Sequence, residues 1–91
     1  MHALLVNVTI EAGKEDESLN FLKSEVLPLV KQAPGLVGGY WFEPQGGHGW
    51  SVVVFESEEA ANAARQMAEN GPMPESVKFD RIDVVEVVAN V

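Results

Sequence analysis

Cysteine is absent from this chain, and histidine occurs only as His2 and His48. The first absence excludes disulfides and thiolate metal sites. Two imidazoles fall short of the four N/S ligands that a structural zinc site usually takes. Cations are scarce too: six Lys and Arg stand scattered against fourteen Asp and Glu, for a formal charge of −8. Nucleic-acid binding needs a basic patch that displaces counterions from phosphates, and the sequence offers none. The same deficit disfavours an anionic membrane surface. No apolar run reaches the roughly 18–20 residues that span a bilayer. The start, Met1-His2-Ala3-Leu4-Leu5, lacks the basic residues and cleavage site of a signal peptide, so a cytoplasmic location is the expectation. There is no internal repeat, linker or low-complexity stretch.

What is present fits one domain, residues 1–91. A chain this short buries roughly 60–65% of its unfolded surface and holds little stability in reserve. Small domains commonly add disulfides, metals or self-association. With the first two disfavoured, self-association remains.

The apolar pattern divides the chain into six elements. Ala3–Ile10 reads as a strand, with Leu4, Val6, Val8 and Ile10 on one face and Ala3, Leu5, Asn7 and Thr9 on the other. Glu15, Asp16 and Glu17 mark the start of a helix, where negative charge favours the dipole. Leu19, Leu22, Val26, Leu29/Val30 and Ala33 continue at helical spacing, and Pro34-Gly35 stops the helix. Pro28 interrupts it and predicts a kink near Glu25–Leu27, or a helix in two pieces. Leu36–Phe42 is a second strand, with Gly38-Gly39 marking a bulge or an edge. Glu43–Gly49 is a hairpin loop. Trp50–Phe55, almost continuously apolar, reads as a central strand. Ser57 is an N-cap for a second helix reaching about Asn70, with a small-residue stripe of Ala60, Ala61, Ala64 and Ala68 beside Met67. Val77–Ala89 is the last strand, bent near Arg81–Asp83.

The order β-α-β-β-α-β with right-handed crossovers predicts an α+β, ferredoxin-like fold. Its antiparallel sheet has the first and third strands in the middle and both helices on one face. Yet the strands carry apolar residues on both faces: Leu5 besides Leu4 and Val6, Val53 and Phe55 besides Val52 and Val54, Val85, Val87 and Val91 besides Ile82 and Val84. Helices cover one face only. The other would expose about six to ten large apolar side chains, a patch that soluble monomers rarely carry. A two-fold contact with a second copy covers it most simply, so a homodimer is expected.

Several stretches carry a resemblance. Ala3–Ile10, the helix closing on Gln32-Ala33-Pro34-Gly35-Leu36, the strand Gly39-Tyr40-Trp41-Phe42, and Val53-Val54-Phe55-Glu56-Ser57-Glu58-Glu59-Ala60 resemble the antibiotic-biosynthesis-monooxygenase-like proteins. These belong to the dimeric α+β barrel superfamily, and the narrower likeness is to small actinobacterial members without an assigned activity. The resemblance implies two sheets packed face to face, a pocket between helices and sheet in each subunit, and cofactor-independent oxygenation or haem chemistry. It implies roles for an Asn on the first strand, matched by Asn7, and for an aromatic ending the third strand, here Phe55 in place of Trp. No His follows His48, so the haem ligand has no counterpart.

Asn7 is therefore the candidate polar residue of a catalytic site, positioning a substrate carbonyl or enolate. A structural role, bonding a neighbouring loop, is the competing reading, since buried amides need partners. Tyr40, Trp41, Phe42 and Trp50, four aromatics around one hairpin, are candidates for a wall against a flat apolar ligand, and Tyr40 and Trp41 with Phe55 are candidates to enclose it. Packing at the subunit interface is the alternative for the aromatics of that hairpin. His48, in a glycine-rich loop, is expected to be exposed, with no partner identifiable from the sequence; an acid or base near neutral pH is the functional reading, and an inert surface residue the favoured one. Arg81 between Asp80 and Asp83 reads as a neutralised surface cluster. No metal or cofactor is called for. Three functions stay open: a monooxygenase-like enzyme for a small apolar or aromatic metabolite, a small-molecule binding or sensor module, and an interaction protein with no ligand.

Overall fold

The computed structural model describes Met1–Val91. Along the chain run β1 (His2–Ile10), α1 (Glu15–Phe21), a π-helical turn (Leu22–Val26), α2 (Leu27–Lys31), β2 (Leu36–Trp41), β3 (His48–Phe55), α3 (Glu58–Asn70) and β4 (Val77–Glu86). The strands form one antiparallel sheet in the order β2-β3-β1-β4. This is the ferredoxin-like α+β arrangement, with the first and third strands central as expected. No helix is long and apolar enough to cross a membrane.

Local chemistry explains the irregular first crossover. Pro28 has no N–H to give to the Ser24 carbonyl, and its ring presses on that carbonyl in a regular helix. The backbone widens just before it, into the π turn Leu22–Val26, and α2 restarts with the proline in its first turn. The expected break is thus a widened turn within one continuous helical run. At α3 the Ser57 hydroxyl accepts from the Ala60 N–H at 3.1 Å, and Glu58 and Glu59 fill the first turn. Gly35 turns the chain from α2 into β2 at φ +76°; a Cβ there would stand 2.9 Å from that of Ala60 on α3.

The edge strand β2 is bulged between Leu36 and Gly38, at Val37 just before the glycine pair. The second bulge lies in β4: Arg81 pairs with Asn7 but Phe79 with Val8, so Asp80 has no partner across the ladder. The strand bends one residue before the expected place. It also ends at Glu86 rather than Ala89; Val87 still donates to the Met1 carbonyl at 2.9 Å, while Val88 and Val91 are fully in solvent.

Alternation along the paired strands defines the two faces. Toward the helices point Leu4 and Val6 of β1, Val53 and Phe55 of β3, Trp41 of β2, and Ile82 and Val84 of β4, packed around Ala61 of α3. Away from the helices stand Leu5, Val52, Val54, Tyr40, Trp50 and Val85. On β4 this bare face continues as Lys78, Arg81 and Asp83. The expected apolar second face is therefore narrower than the sequence suggests. Val87 and Val91 lie beyond the last strand, and the bulge turns charged residues outward. Only 8 of 91 residues are buried, so the chain by itself encloses a small core.

Candidate functional site

α3, with its stripe of alanines, lies directly on β1, β3 and β4, whereas α1, the π turn and α2 stand off the sheet. The difference leaves a cavity of about 270 Å³ between helices and strands. Its floor is Leu4, Val6 and Val8 of β1 with Val53 and Phe55 of β3. Leu22, Val26, Leu29 and Val30 form the roof. Ala64 and Met67 of α3 close one side, and Pro72–Pro74 in the loop that follows closes the end. Of thirty lining residues 22 are hydrophobic, so whatever enters is held by shape and desolvation. The polar contributions are Ser18, Glu25 and Ser51. No Lys, Arg or His lines the space, and no three His, Asp or Glu cluster anywhere to hold a metal ion.

The cavity is small for a ligand site, where roughly 300–1,000 Å³ is usual. An apolar cavity of roughly 150 Å³ admits benzene. About 270 Å³ therefore suits a compact ligand of one or two rings.

The structure divides the sequence candidates between the two faces. Phe55, 1% exposed, and Trp41 line the cavity, and Phe42 and Trp50 of the hairpin border it as well. Tyr40, the neighbour of Trp41, points the other way and is 70% exposed. Asn7 also stands on the bare face, opposite Trp50 and Arg81, and its amide donates to the Gly49 carbonyl at 3.3 Å. Strand alternation forbids Tyr40 and Trp41 from sharing a pocket, and it puts Asn7 away from Val6 and Val8.

The bare face also holds a polar cluster. Contrary to expectation, His48 opens β3 and has a partner: its Nδ1 lies 3.7 Å from Asp80 Oδ2, and Thr9 donates to the same carboxylate. The His48 ring packs beside Trp50, centroids 6.0 Å apart. The Arg81 guanidinium pairs with Asp83, as its setting between two carboxylates suggests. At the far end of β1, His2 Nε2 lies 3.3 Å from Glu58 Oε2 at the start of α3.

Sequence reasoning missed Glu25, Ser51, Met67 and Met73 as cavity residues. Periodicity reads such positions as ordinary helix and strand faces. The available signal was the alanine stripe of α3, which cannot fill space as leucines would.

The sequence matches no protein-family model and no curated protein. Solved structures match along the whole chain. MhuD, a haem degrader from Mycobacterium tuberculosis with two haems bound in its active site, is 22% identical over 100% of this chain and 99% of its own, with a TM-score of 0.74. HapK from Hahella chejuensis is 8% identical over 100% and 96%, with a TM-score of 0.70. A putative antibiotic biosynthesis monooxygenase from Chloroflexus aurantiacus is 16% identical over 99% and 96%, with a TM-score of 0.63. The likeness places the chain, by fold, beside these proteins, a haem degrader and a putative antibiotic biosynthesis monooxygenase among them. The β-α-β-β-α-β expectation and the resemblance drawn from the sequence both agree with this placement.

Proposed function

We propose that this protein is a homodimeric, monooxygenase-like barrel that binds a small apolar metabolite between helices and sheet of each subunit. One observation carries the reading: about 270 Å³ of space lined mostly by hydrocarbon, in a domain with few buried residues. Trp41 and Phe55 supply aromatic surface to the ligand, and the Ser51 hydroxyl on the floor offers one hydrogen bond for orientation. Asn7 is a structural residue in this reading, tying β1 to Gly49. Tyr40 belongs to the subunit interface, together with Leu5, Val52, Val54 and Val85.

Haem, the ligand of MhuD, does not suit these residues. No imidazole lines the cavity to ligate iron, and no cation is there to meet the propionates.

Ala64→Phe tests the proposal, because its ring would occupy the space beside Met67. The expected result is that the neutral fluorophore N-phenylnaphthylamine brightens with the parent protein and not with the variant, both keeping the same circular dichroism. Equal brightening with both would refute the site.

Catalysis is the second reading, supported by neighbours described as a haem degrader and a putative monooxygenase. The substrate would lose a proton to solvent, its carbanion would reduce oxygen by two electrons to form a hydroperoxide, and loss of water would leave the oxygenated product, with the apolar walls holding the ring in place. Oxygen uptake over a panel of small phenolic and polycyclic substrates tests it. Uptake that Ala64→Phe abolishes supports an enzyme, and no uptake with any bound compound supports a binding module.

A further inference from the structure

The charges around the cavity are one-sided. Thirty residues line it, and the one ionised side chain among them is Glu25. Glu25 lies on the π turn, solvent-exposed at the cavity mouth, and takes part in none of the ion pairs of the chain. The C-terminal end of α3 borders the same space through Met67, Ala68 and Gly71. That end carries the negative pole of the helix dipole, and no basic residue occupies its last turn. The chain as a whole carries −8.

Each feature acts on an entering ligand in the same direction. A carboxylate or sulfonate loses its hydration inside an apolar cavity and finds no cation in return. It also approaches past Glu25 and an acidic surface, which lowers its rate of entry. A neutral ring system meets neither penalty. An amine on the ring gains the Glu25 carboxylate, and the negative pole of α3 acts on it in the same direction.

Resting on the binding reading above, we propose that the cavity selects by charge. It takes neutral or amine-bearing aromatic compounds and rejects carboxylates of the same shape, and Glu25 is the residue that reads the amine.

Three ligands with one ring system separate the possibilities: naphthylmethylamine, naphthylmethanol and naphthoate, titrated into the intact chain by calorimetry at neutral pH and low salt. The alcohol is expected to bind, and naphthoate about tenfold more weakly or worse, since an unpaired buried charge costs well over the ~1.4 kcal/mol that equals tenfold. The amine is expected to bind about two- to fivefold tighter than the alcohol, the range of a solvent-exposed ion pair, with the advantage shrinking as salt rises. Glu25→Gln should remove the amine's advantage over the alcohol. Naphthoate binding as well as the alcohol would overturn charge selection while leaving the cavity reading intact. An amine advantage that survives Glu25→Gln would overturn the role of Glu25. Binding of none of the three would overturn the cavity reading, and this inference with it.

Discussion

Val52 sits at the middle of the bare sheet face, between Leu5 on β1 and Tyr40 on β2. Its replacement by Asp tests the homodimer. In the proposed two-fold contact each protomer brings its Val52 to the apolar interface, so the variant buries two carboxylates, one per subunit. Leaving a buried charged group without a partner costs at least ~2–3 kcal/mol. Two such groups cost about 4–6 kcal/mol, which is roughly 10³- to 10⁴-fold in the dimer dissociation constant. A dimer with a micromolar dissociation constant would then be monomeric at every practical concentration, and a nanomolar one would dissociate at the low-micromolar end of the range. Sedimentation velocity from micromolar to hundred-micromolar protein measures this directly. The parent is expected at dimer mass and Val52→Asp at protomer mass. Asn62→Asp, on the exposed side of α3, adds the same charge and should remain dimeric. Val52 is partly buried within its own protomer, so far-UV circular dichroism must show a folded variant. If it does not, Tyr40→Asp at a 70% exposed position carries the same test. A parent sedimenting as a protomer, or a folded Val52→Asp that stays dimeric, would refute the bare face as the interface.

Two further predictions concern stability. Phe55 is the largest fully buried side chain, and Phe55→Ala should cost about 3–5 kcal/mol in urea unfolding, a large share of what a domain this size holds. A cost under 1 kcal/mol would mean that the core lies elsewhere. Gly35→Ala places a Cβ at positive φ and 2.9 Å from Ala60, so a loss of about 1–3 kcal/mol is expected, with a lower urea midpoint and an unchanged slope. An unchanged midpoint would show that α2, β2 and α3 meet less closely than described.

The polar cluster of Thr9, His48 and Asp80 adds a second character to the bare face. In the proposed dimer it would flank the apolar strip of Leu5, Val52 and Val54 and set the register of the two sheets. Directed polar contacts fix orientation better than hydrocarbon does, while the apolar strip supplies most of the association energy.

Much of this molecule was decided by local chemistry and is legible in the sequence alone. Pro28 disturbs its helix wherever that helix packs, because the missing N–H and the ring act within one turn. Ser57 caps α3 through atoms three residues apart. The glycines at 38 and 39 loosen β2, and the apolar run from Trp50 to Phe55 declares a central strand. Tertiary structure decided the rest. Period-two alternation sorts Asn7 from Val6 and Tyr40 from Trp41, but it cannot say which set meets the helices, since both sets hold apolar residues. The bulge at Asp80 shifts the later part of β4 by one residue and turns Arg81 and Asp83 outward, a pairing event with no local signature. The cavity is less legible still: it is the space left where α1 and α2 stand off the sheet while α3 lies close. An empty volume belongs to no residue, so it exists only once all the elements have been brought together.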